Sequence, residues 1–586
     1  MLEHTVTPFS ATASFVSAAL LALAVATPLR AEVKYASQGA QWTPASRSDF
    51  YSRDQGARIM PFAWFKALKR ADGSAFLDDG LRRYGYLPNP DSPTPGLPVG
   101  FLTASENNVR TLSMTCSACH TRQIEVDGVS WRIDGGPALT DFQSLLVDID
   151  KSVDAVLKNG AAFDDFAKAA GANGDDARKA LRDEVEAWFT PYHTLMSKAL
   201  PTPGWGVGRA DAVSMIFNRV AGLDIGEPPT RIIEGNIAPA NAPVRYPFVW
   251  KAPVQDTTQW PGFARNGDDI LGLARNVGEV YGVFGVYHPT KSILPNVTNF
   301  LNDSSLNFAG LQQLEILLKQ IEPPKWPFAL DAALVAKGDE IFHRDPKDGG
   351  CAKGCHEVTT GAARVCNPDT WRTPIQDVGT DSKEYSVLVR EADTGVLEGA
   401  SIPLLPDLDK PLQPREKIIS ILGMSVIGSI LEAPLHFGLD VFRPIAEECL
   451  PLRPARPTAL RMALLEKLRE GLKNTYKEPG AAPAFAYESR VMQGIWAVAP
   501  YLHNGSVPTL ADLLKPAAER PASFKVGPAY DVQNVGLASE QTGLNSTYTA
   551  DDCSKRDSGN SRCGHEFGVR LSPEEKKALL EYLKSL

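Results

Sequence analysis

Thr115-Cys116-Ser117-Ala118-Cys119-His120 is the stretch on which the reading of this chain turns. Cys-x-x-Cys-His is the attachment sequence of a c-type haem. Two thiols three positions apart lie on one side of a helical turn and can add to the two vinyl groups of a porphyrin as thioethers. The imidazole that follows then reaches the iron from the proximal face. A zinc or redox Cys-x-x-Cys is the competing reading, and the adjacent His argues against it.

A second, less regular site stands downstream. Cys351-Ala352-Lys353-Gly354-Cys355-His356 reads Cys-x-x-x-Cys-His, with one extra residue between the thiols. Gly354 permits the bulge that such a loop needs. Gly338-Asp339-Glu340-Ile341-Phe342 fits a helix leading into it. The expectation is two covalently bound c-type haems, the second on Cys351, Cys355 and His356. The alternative is a disulfide from Cys351 to a remote cysteine, with His356 an ordinary histidine.

The bulk properties set bounds. A chain of 586 residues suggests two or three domains and a large buried core. Lys and Arg number 60 against 69 Asp and Glu, a net charge of −9 with no basic tract. Nucleic acid is therefore not an expected partner. The 47 Gly and 45 Pro imply long irregular loops, which suits a protein that wraps a cofactor.

Ser14 to Ala26 is an apolar run of 13, too short to span a bilayer, followed by Thr27-Pro28-Leu29-Arg30-Ala31. It reads as a secretory signal over residues 1–31, ending at Ala26 or Ala31. The run has no Lys or Arg before it, so a buried core helix or a misplaced start are the alternatives. Apart from this run no transmembrane segment is expected. Haem attachment points to export independently, and the expected location is periplasmic or secreted. Of the four other cysteines, Cys553 and Cys563 close a short polar loop and are the best disulfide candidates; Cys366 with Cys449 would be the other pair.

Along the chain, residues 32–110 are turn-rich. Residues 141–200 read as an amphipathic helical insertion. Leu311 to Ile321 reads as a helix stopped by Pro323-Pro324. The expected division is residues 32–330, an N-terminal haem domain, and 331–586, a C-terminal one. Ser572-Pro573-Glu574-Glu575 is a capping box for a last helix with Leu579, Leu580, Leu583 and Leu586 on one face. The fold class expected is mainly α: two cytochrome c-like haem domains with long irregular loops and few short strands.

A haem iron needs a sixth ligand or leaves that position open to a substrate. His565, in Cys563-Gly564-His565-Glu566-Phe567-Gly568, is the favoured sixth ligand of the second haem, because the glycines on both sides let the loop approach closely. His503, in Ala499-Pro500-Tyr501-Leu502-His503-Asn504-Gly505-Ser506-Val507-Pro508, suggests a functional pocket. Either could instead be a satisfied structural histidine. Met424, Met462 and Met492 are further ligand options.

Two such sites in one chain resemble the dihaem cytochrome c peroxidase superfamily. Ile133-Asp134-Gly135-Gly136-Pro137, Tyr246-Pro247-Phe248-Val249-Trp250, Gln259-Trp260, Ala274-Arg275-Asn276-Val277-Gly278-Glu279-Val280 and Gly494-Ile495-Trp496-Ala497 narrow the resemblance, together with Tyr501 to Leu510. They look like the rubber oxygenase branch, which includes dihaem fatty-acid dioxygenases. The resemblance runs from about residue 40 to the C-terminus. His120 and His356 stand 236 positions apart, a wider gap than in ordinary dihaem peroxidases.

The resemblance implies a first haem on Cys116, Cys119 and His120 with an open O2-binding face, and a second with His356 and His565 as axial ligands. It implies that His503 lies near the active haem. Phe248 and Trp250, with Trp260 or Phe263, would line the distal pocket or the path between haems. The activity implied is O2-dependent oxidation or cleavage of C=C bonds in a hydrophobic small molecule or polymer, polyisoprene or an unsaturated fatty acid. A separate redox partner is also conceivable. An H2O2-reducing peroxidase, with an acid/base Glu or His over the first haem, is the alternative. A non-enzymatic electron carrier is the third reading.

Replacing His356 by Ala is expected to remove the proximal ligand of the second haem and its low-spin signal. An unchanged low-spin spectrum would show that Cys351 to His356 is not a haem site.

Overall fold

A computed structural model describes Met1 and residues 33–106, 108–292, 297–361, 369–405, 408–450, 456–473, 485–544 and 546–586. The expected signal run, the residue at 366 and hence the expected Cys366–Cys449 pairing fall outside the described residues. Cys553 and Cys563 form the expected disulfide.

The N-terminal part is built from short strands. β1 (Val33–Tyr35) leads to α1 (Pro44–Ser52), and then to two antiparallel hairpins. The first joins β2 (Phe101–Glu106) to β3 (Val109–Met114). The second joins β4 (Thr121–Val126) to β5 (Val129–Asp134), with β1 added in parallel to β5. Its two-residue turn is Asp127-Gly128, both with positive φ, the geometry that matches strand twist in a tight hairpin. The Cys116 to His120 loop is the crossing between the two hairpins.

Asp134 ends β5 and is fully buried. Its carboxylate accepts hydrogen bonds from Trp42 Nε1 at 2.7 Å, Arg47 Nε at 2.6 Å and the Tyr51 hydroxyl. A buried carboxylate needs such a set of donors to repay its desolvation. The set ties α1 and its approach to the sheet behind the haem loop.

The helical insertion forms as the pattern predicts, in α2 (Phe142–Lys158), α3 (Gly160–Ala170) and α4 (Asp175–Ala199). α5 (Asp269–Gly282) and α6 (Phe308–Gln320) follow. α7 (Ala332–Phe342) then leads into the second cysteine loop. α8 (Ile418–Phe437) is long and apolar enough to cross a membrane, with mean hydropathy 1.9, a segment the sequence reading passed over. In the fold 61% of its most apolar window is buried, and Ile421, Met424 and Ile430 are core residues. α9 (Pro457–Lys473) packs near it, and α10 (Pro573–Ser585) closes the fold. The capping box of α10 forms as expected: Glu575 N–H donates to Ser572 Oγ, and Ser572 N–H donates to the Glu575 carboxylate.

Two features depart from the sequence reading. The strands are short but numerous, and they form small sheets of two or three strands. Alternating patterns of four to six residues in loop-rich sequence are too brief to stand out. The hydrophobic clusters also do not divide at residue 330. One runs from Ala36 through Trp250 and Leu317 to Leu583, another from Val213 to Leu468. Glu125 N–H on β4 donates to the Pro528 carbonyl at 2.7 Å, so the C-terminal half closes over the first hairpins.

α7 and α10 meet at Gly338. A Cβ there would lie 2.1 Å from the Ala578 carbonyl oxygen. Gly338→Ala is expected to cost about 1–3 kcal/mol by overpacking. It would be read as a lower urea midpoint, and an unshifted midpoint would refute the close approach.

Candidate haem centres

The first site is held from behind by its own neighbours. Cys116–Ala118 is a single 3-10 turn, and His120 N–H donates to the Cys116 carbonyl at 3.0 Å. The Gly135 amide donates to His120 O at 2.9 Å and the Ala138 amide to Cys119 O at 3.0 Å. The Ile133 to Pro137 stretch therefore works as a backbone brace for the loop. Cys116 and Cys119 are free thiols, and burial pushes both up to about 12. They are kept neutral and unpaired, the state that thioether formation starts from.

His120 Nδ1 lies 2.9 Å from the Pro247 carbonyl oxygen. A carbonyl only accepts, so Nδ1 carries the proton and Nε2 keeps a free lone pair. Burial lowers the pKa of His120 to about 4. The imidazole is thus neutral at physiological pH and oriented, as a metal ligand must be. Among the described residues no histidine ring faces it; its ring neighbour is Tyr246 at 6.4 Å.

Glu279, on α5, stands near this loop. Water reaches its side chain, yet surrounding protein raises its pKa by desolvation. Its charge is felt by both Cys116 and Cys119. Gln259 Nε2 donates to Glu279 Oε1 at 3.0 Å. One helical turn back, Arg275 pairs with Glu315, and Asn276 donates to the same Glu315 oxygen at 3.1 Å.

The second site has the bulge that its extra residue requires. Gly354 sits at φ +73°, and Lys353 also leaves helical geometry. Cys351 and Cys355 are free thiols, which excludes the disulfide alternative for Cys351. His356 and His565 face each other with ring centres 6.1 Å apart. Two imidazoles bonded to one iron at about 2 Å each place their ring centres roughly 6 Å apart. Burial pushes His356 down to about 4 and His565 to about 3. Both rings line one apolar cavity, with Cys351, Phe342, Leu513, Leu579 and Leu583 among its walls. Two neutral facing imidazoles beside two free thiols fit a bis-histidine c-type haem.

The His565 loop is held under strain. His565 has φ +50°, costly for a residue with a side chain. Gly564 precedes it at φ +75°, and a Cβ there would come within 2.4 Å of Gly379 and Thr380 backbone. His565 N–H donates to Val378 O at 2.8 Å. Arg520, almost fully buried, donates to the carbonyls of Arg562, Gly564 and His565 at 2.7, 2.8 and 3.0 Å.

Residues 245–250 lie between the two sites. Pro247 supports His120, and the next residue, Phe248, lines the second cavity. Phe248 stacks on Trp250 at 4.6 Å, and Trp250 is fully buried with Nε1 donating to Gln493 O. Trp260 lines the same cavity; Phe263 packs against the cluster around α8. His503 also sits on the second cavity's wall rather than beside the Cys116 loop. Its ring stacks on Tyr487 at 3.8 Å, and Nε2 lies 3.2 Å from Asp381 Oδ1. Of the aromatics expected in the distal pocket or on the path between haems, Phe248 and Trp260 line the second cavity. The cause is the chain path, because Arg245 N–H donates to His503 O and draws the two segments together.

Sequence reasoning missed Arg245, Arg490, Arg520 and the Asp381 partner of His503. Arginines in loops carry no spacing signal. Glu279 and Gln259 lay within quoted stretches, but nothing in the sequence showed that they meet.

Residues 486–525 match the family model described as RoxA-like, cytochrome c-like. That span carries Tyr487, Arg490, His503 and Arg520, much of the second site's wall. The match supports a RoxA-related cytochrome with haem as its cofactor. The chain is also similar to two proteins of Sinorhizobium fredii (strain NBRC 101917 / NGR234). Uncharacterized protein y4iJ is 29% identical over 598 residues, covering 93% of this chain and 92% of the relative. Uncharacterized protein y4iM is 24% identical over 416 residues, covering 67% and 74%.

Arg520→Ala is expected to free three carbonyls of the strained loop, at a cost on the order of 2 kcal/mol. The low-spin spectrum of one haem should weaken while both haems stay covalently bound. His565→Ala should abolish that signal. A wild-type spectrum in His565→Ala would remove His565 from the ligand set, and one in Arg520→Ala would show that the clamp does not hold it in place.

Proposed function

We propose that this protein is a dihaem c-type oxidoreductase that activates O2 at the Cys116-Cys119-His120 site to oxidise or cleave C=C bonds of a hydrophobic substrate, with the second site serving electron transfer. The observation that carries it is the asymmetry of the two sites. His356 has a facing histidine 6.1 Å away, whereas His120 has none among the described residues. A closed coordination sphere suits electron transfer, and an open one suits chemistry on a small molecule. The O2-dependent form is supported by the RoxA-like match and by the resemblance of the quoted stretches.

Haem bound at the first site would supply an iron redox couple and an axial position for O2. The chain supplies the rest. Pro247 fixes the tautomer and orientation of His120. Desolvation keeps that imidazole uncharged. Phe248 and the Arg490 guanidinium that donates to its carbonyl at 2.9 Å lie on the second site's wall, next in sequence to the Pro247 support of His120. An exported location is supported by the covalent attachment sequences and the Cys553–Cys563 disulfide, which an oxidising compartment sustains.

One observation favours a second reading, reduction of H2O2 to two waters by two electrons and two protons. Glu279 brings a carboxyl with a raised pKa to the first loop, positioned by Gln259. Such a group can take a proton from one peroxide oxygen and deliver it to the other. An O2-dependent attack on an alkene has no need of it.

O2 uptake by the purified dihaem protein, offered oleic acid and then polyisoprene without H2O2, separates the readings. Uptake with an oxygenated product is expected, and Glu279→Gln should change its rate less than tenfold. Turnover only with H2O2 and an electron donor, lost by about 10²–10⁴ in Glu279→Gln, would replace the dioxygenase by the peroxidase.

A further inference from the structure

The wall of the second cavity holds two buried guanidiniums, each with an N–H that finds no acceptor. Arg245 is 5% exposed and Arg490 7%, and both line the cavity with His356 and His565. Arg245 Nε donates to Leu502 O at 3.0 Å, and its guanidinium lies over Trp260 at 4.7 Å. Its Nη1 is buried with no acceptor. No carboxylate pairs with it among the described residues. Arg490 Nη2 donates to Phe248 O, and its Nε is likewise buried and unpartnered. Its one acidic neighbour is Glu488, 3.6 Å away, which also receives bonds from Gln255 and Thr373. Asp381, a further buried carboxylate on this side, is taken by His503 and Asn504.

Of the two buried guanidiniums only Arg490 has a carboxylate beside it, and each still has an N–H without a partner. Burial and the charge of Arg490 and Arg122 push Arg245 down to about 9, still cationic at neutral pH. A desolvated cation with an orphaned donor requires an anion. A guanidinium accepts a carboxylate best, through its planar fork of N–H donors. Cys351, at another part of the same wall, lies with Phe342, Leu579 and Leu583 from α7 and α10, while the arginines come from the 245–248 and 487–490 segments. A c-type porphyrin has thioethers at one edge and two propionates at the opposite one, so it presents both chemistries to one cavity.

We propose that Arg245 and Arg490 bind the propionate carboxylates of the haem carried by Cys351 and Cys355, and so turn its propionate edge toward the Pro247–Phe248 segment that supports His120. This rests on the reading of the second site as a haem site. Arg490 is then the junction between centres. It touches the second haem's carboxylate by its side chain and the first haem's support through the Phe248 carbonyl. A cation there stabilises the reduced, more negative haem, and raises its potential.

The test uses full-length dihaem protein carrying Arg245→Gln, Arg490→Gln or Arg245→Lys, in redox titrations followed at the low-spin haem. At a fixed solution potential, each Gln variant should raise the oxidised-to-reduced ratio of that haem about tenfold, a shift of about 59 mV. Arg245→Lys should restore most of it. Haem content should stay at two per chain. An unchanged low-spin potential with two haems retained overturns the proposal, as does a shift confined to the other haem. A saturable spectral response to oleate, lost in Arg245→Gln without a change of potential, overturns it too, by assigning the cations to a free carboxylate. Wild-type protein with a single haem shows that the underlying reading has failed, and the proposal with it. Should Arg490→Gln not fold, the Arg245 pair of variants decides.

Discussion

The hydrogen bond between His120 Nδ1 and the Pro247 carbonyl, at 2.9 Å, is the contact that organises the rest. It selects the imidazole tautomer, so it decides whether the first site can ligate a metal at all. It also fixes where residues 245–250 run. Once Pro247 is placed, Phe248 must face the second cavity and Trp250 must lie buried behind it. Residues 245–250 touch both sites, through Pro247 at the first and Phe248 at the second. This is why the hydrophobic clusters ignore any boundary near residue 330.

The two centres solve the same electrostatic problem in different ways. Each keeps its histidine neutral by burial, at about 4 for both His120 and His356. The first has near its loop a carboxyl whose pKa burial raises, Glu279, beside the Arg275–Glu315 pair. The second surrounds itself with arginines. An interior cannot hold like charges of either sign without counter-charge, so the sign of each wall speaks to what belongs beside it. The first site thus has acidic side chains near its thiols, and the second has cations on its wall.

The cysteine motifs, the helical insertion and the capped last helix were legible because each is a local pattern. Thiol spacing, 3.6-residue periodicity and a capping box are written within a dozen residues. The short strands were not, since two to six residues of alternation carry little signal. Nor were the site's supporting residues. Arg520 reaches a loop 45 positions away, and Asp381 meets a histidine 122 positions away. Such pairings belong to the fold alone. The His503 loop was singled out by its composition, and its side of the molecule was set by a backbone bond to Arg245 that no motif records.

The span between His356 and His565, 209 positions, has a consequence for biogenesis. On the reading given above, the thioethers of the second site are made from six contiguous residues, so attachment can precede tertiary structure. The opposing imidazole arrives only when a long loop has closed, a step whose entropy is repaid by packing. During that interval a haem held there would lack the His565 imidazole and be open to oxidants. Completion of the fold is then also what silences this centre. On the same reading, a chain that stalls short of the Arg520 clamp would carry a second reactive site in place of an electron relay, a damaging intermediate that rapid folding keeps brief.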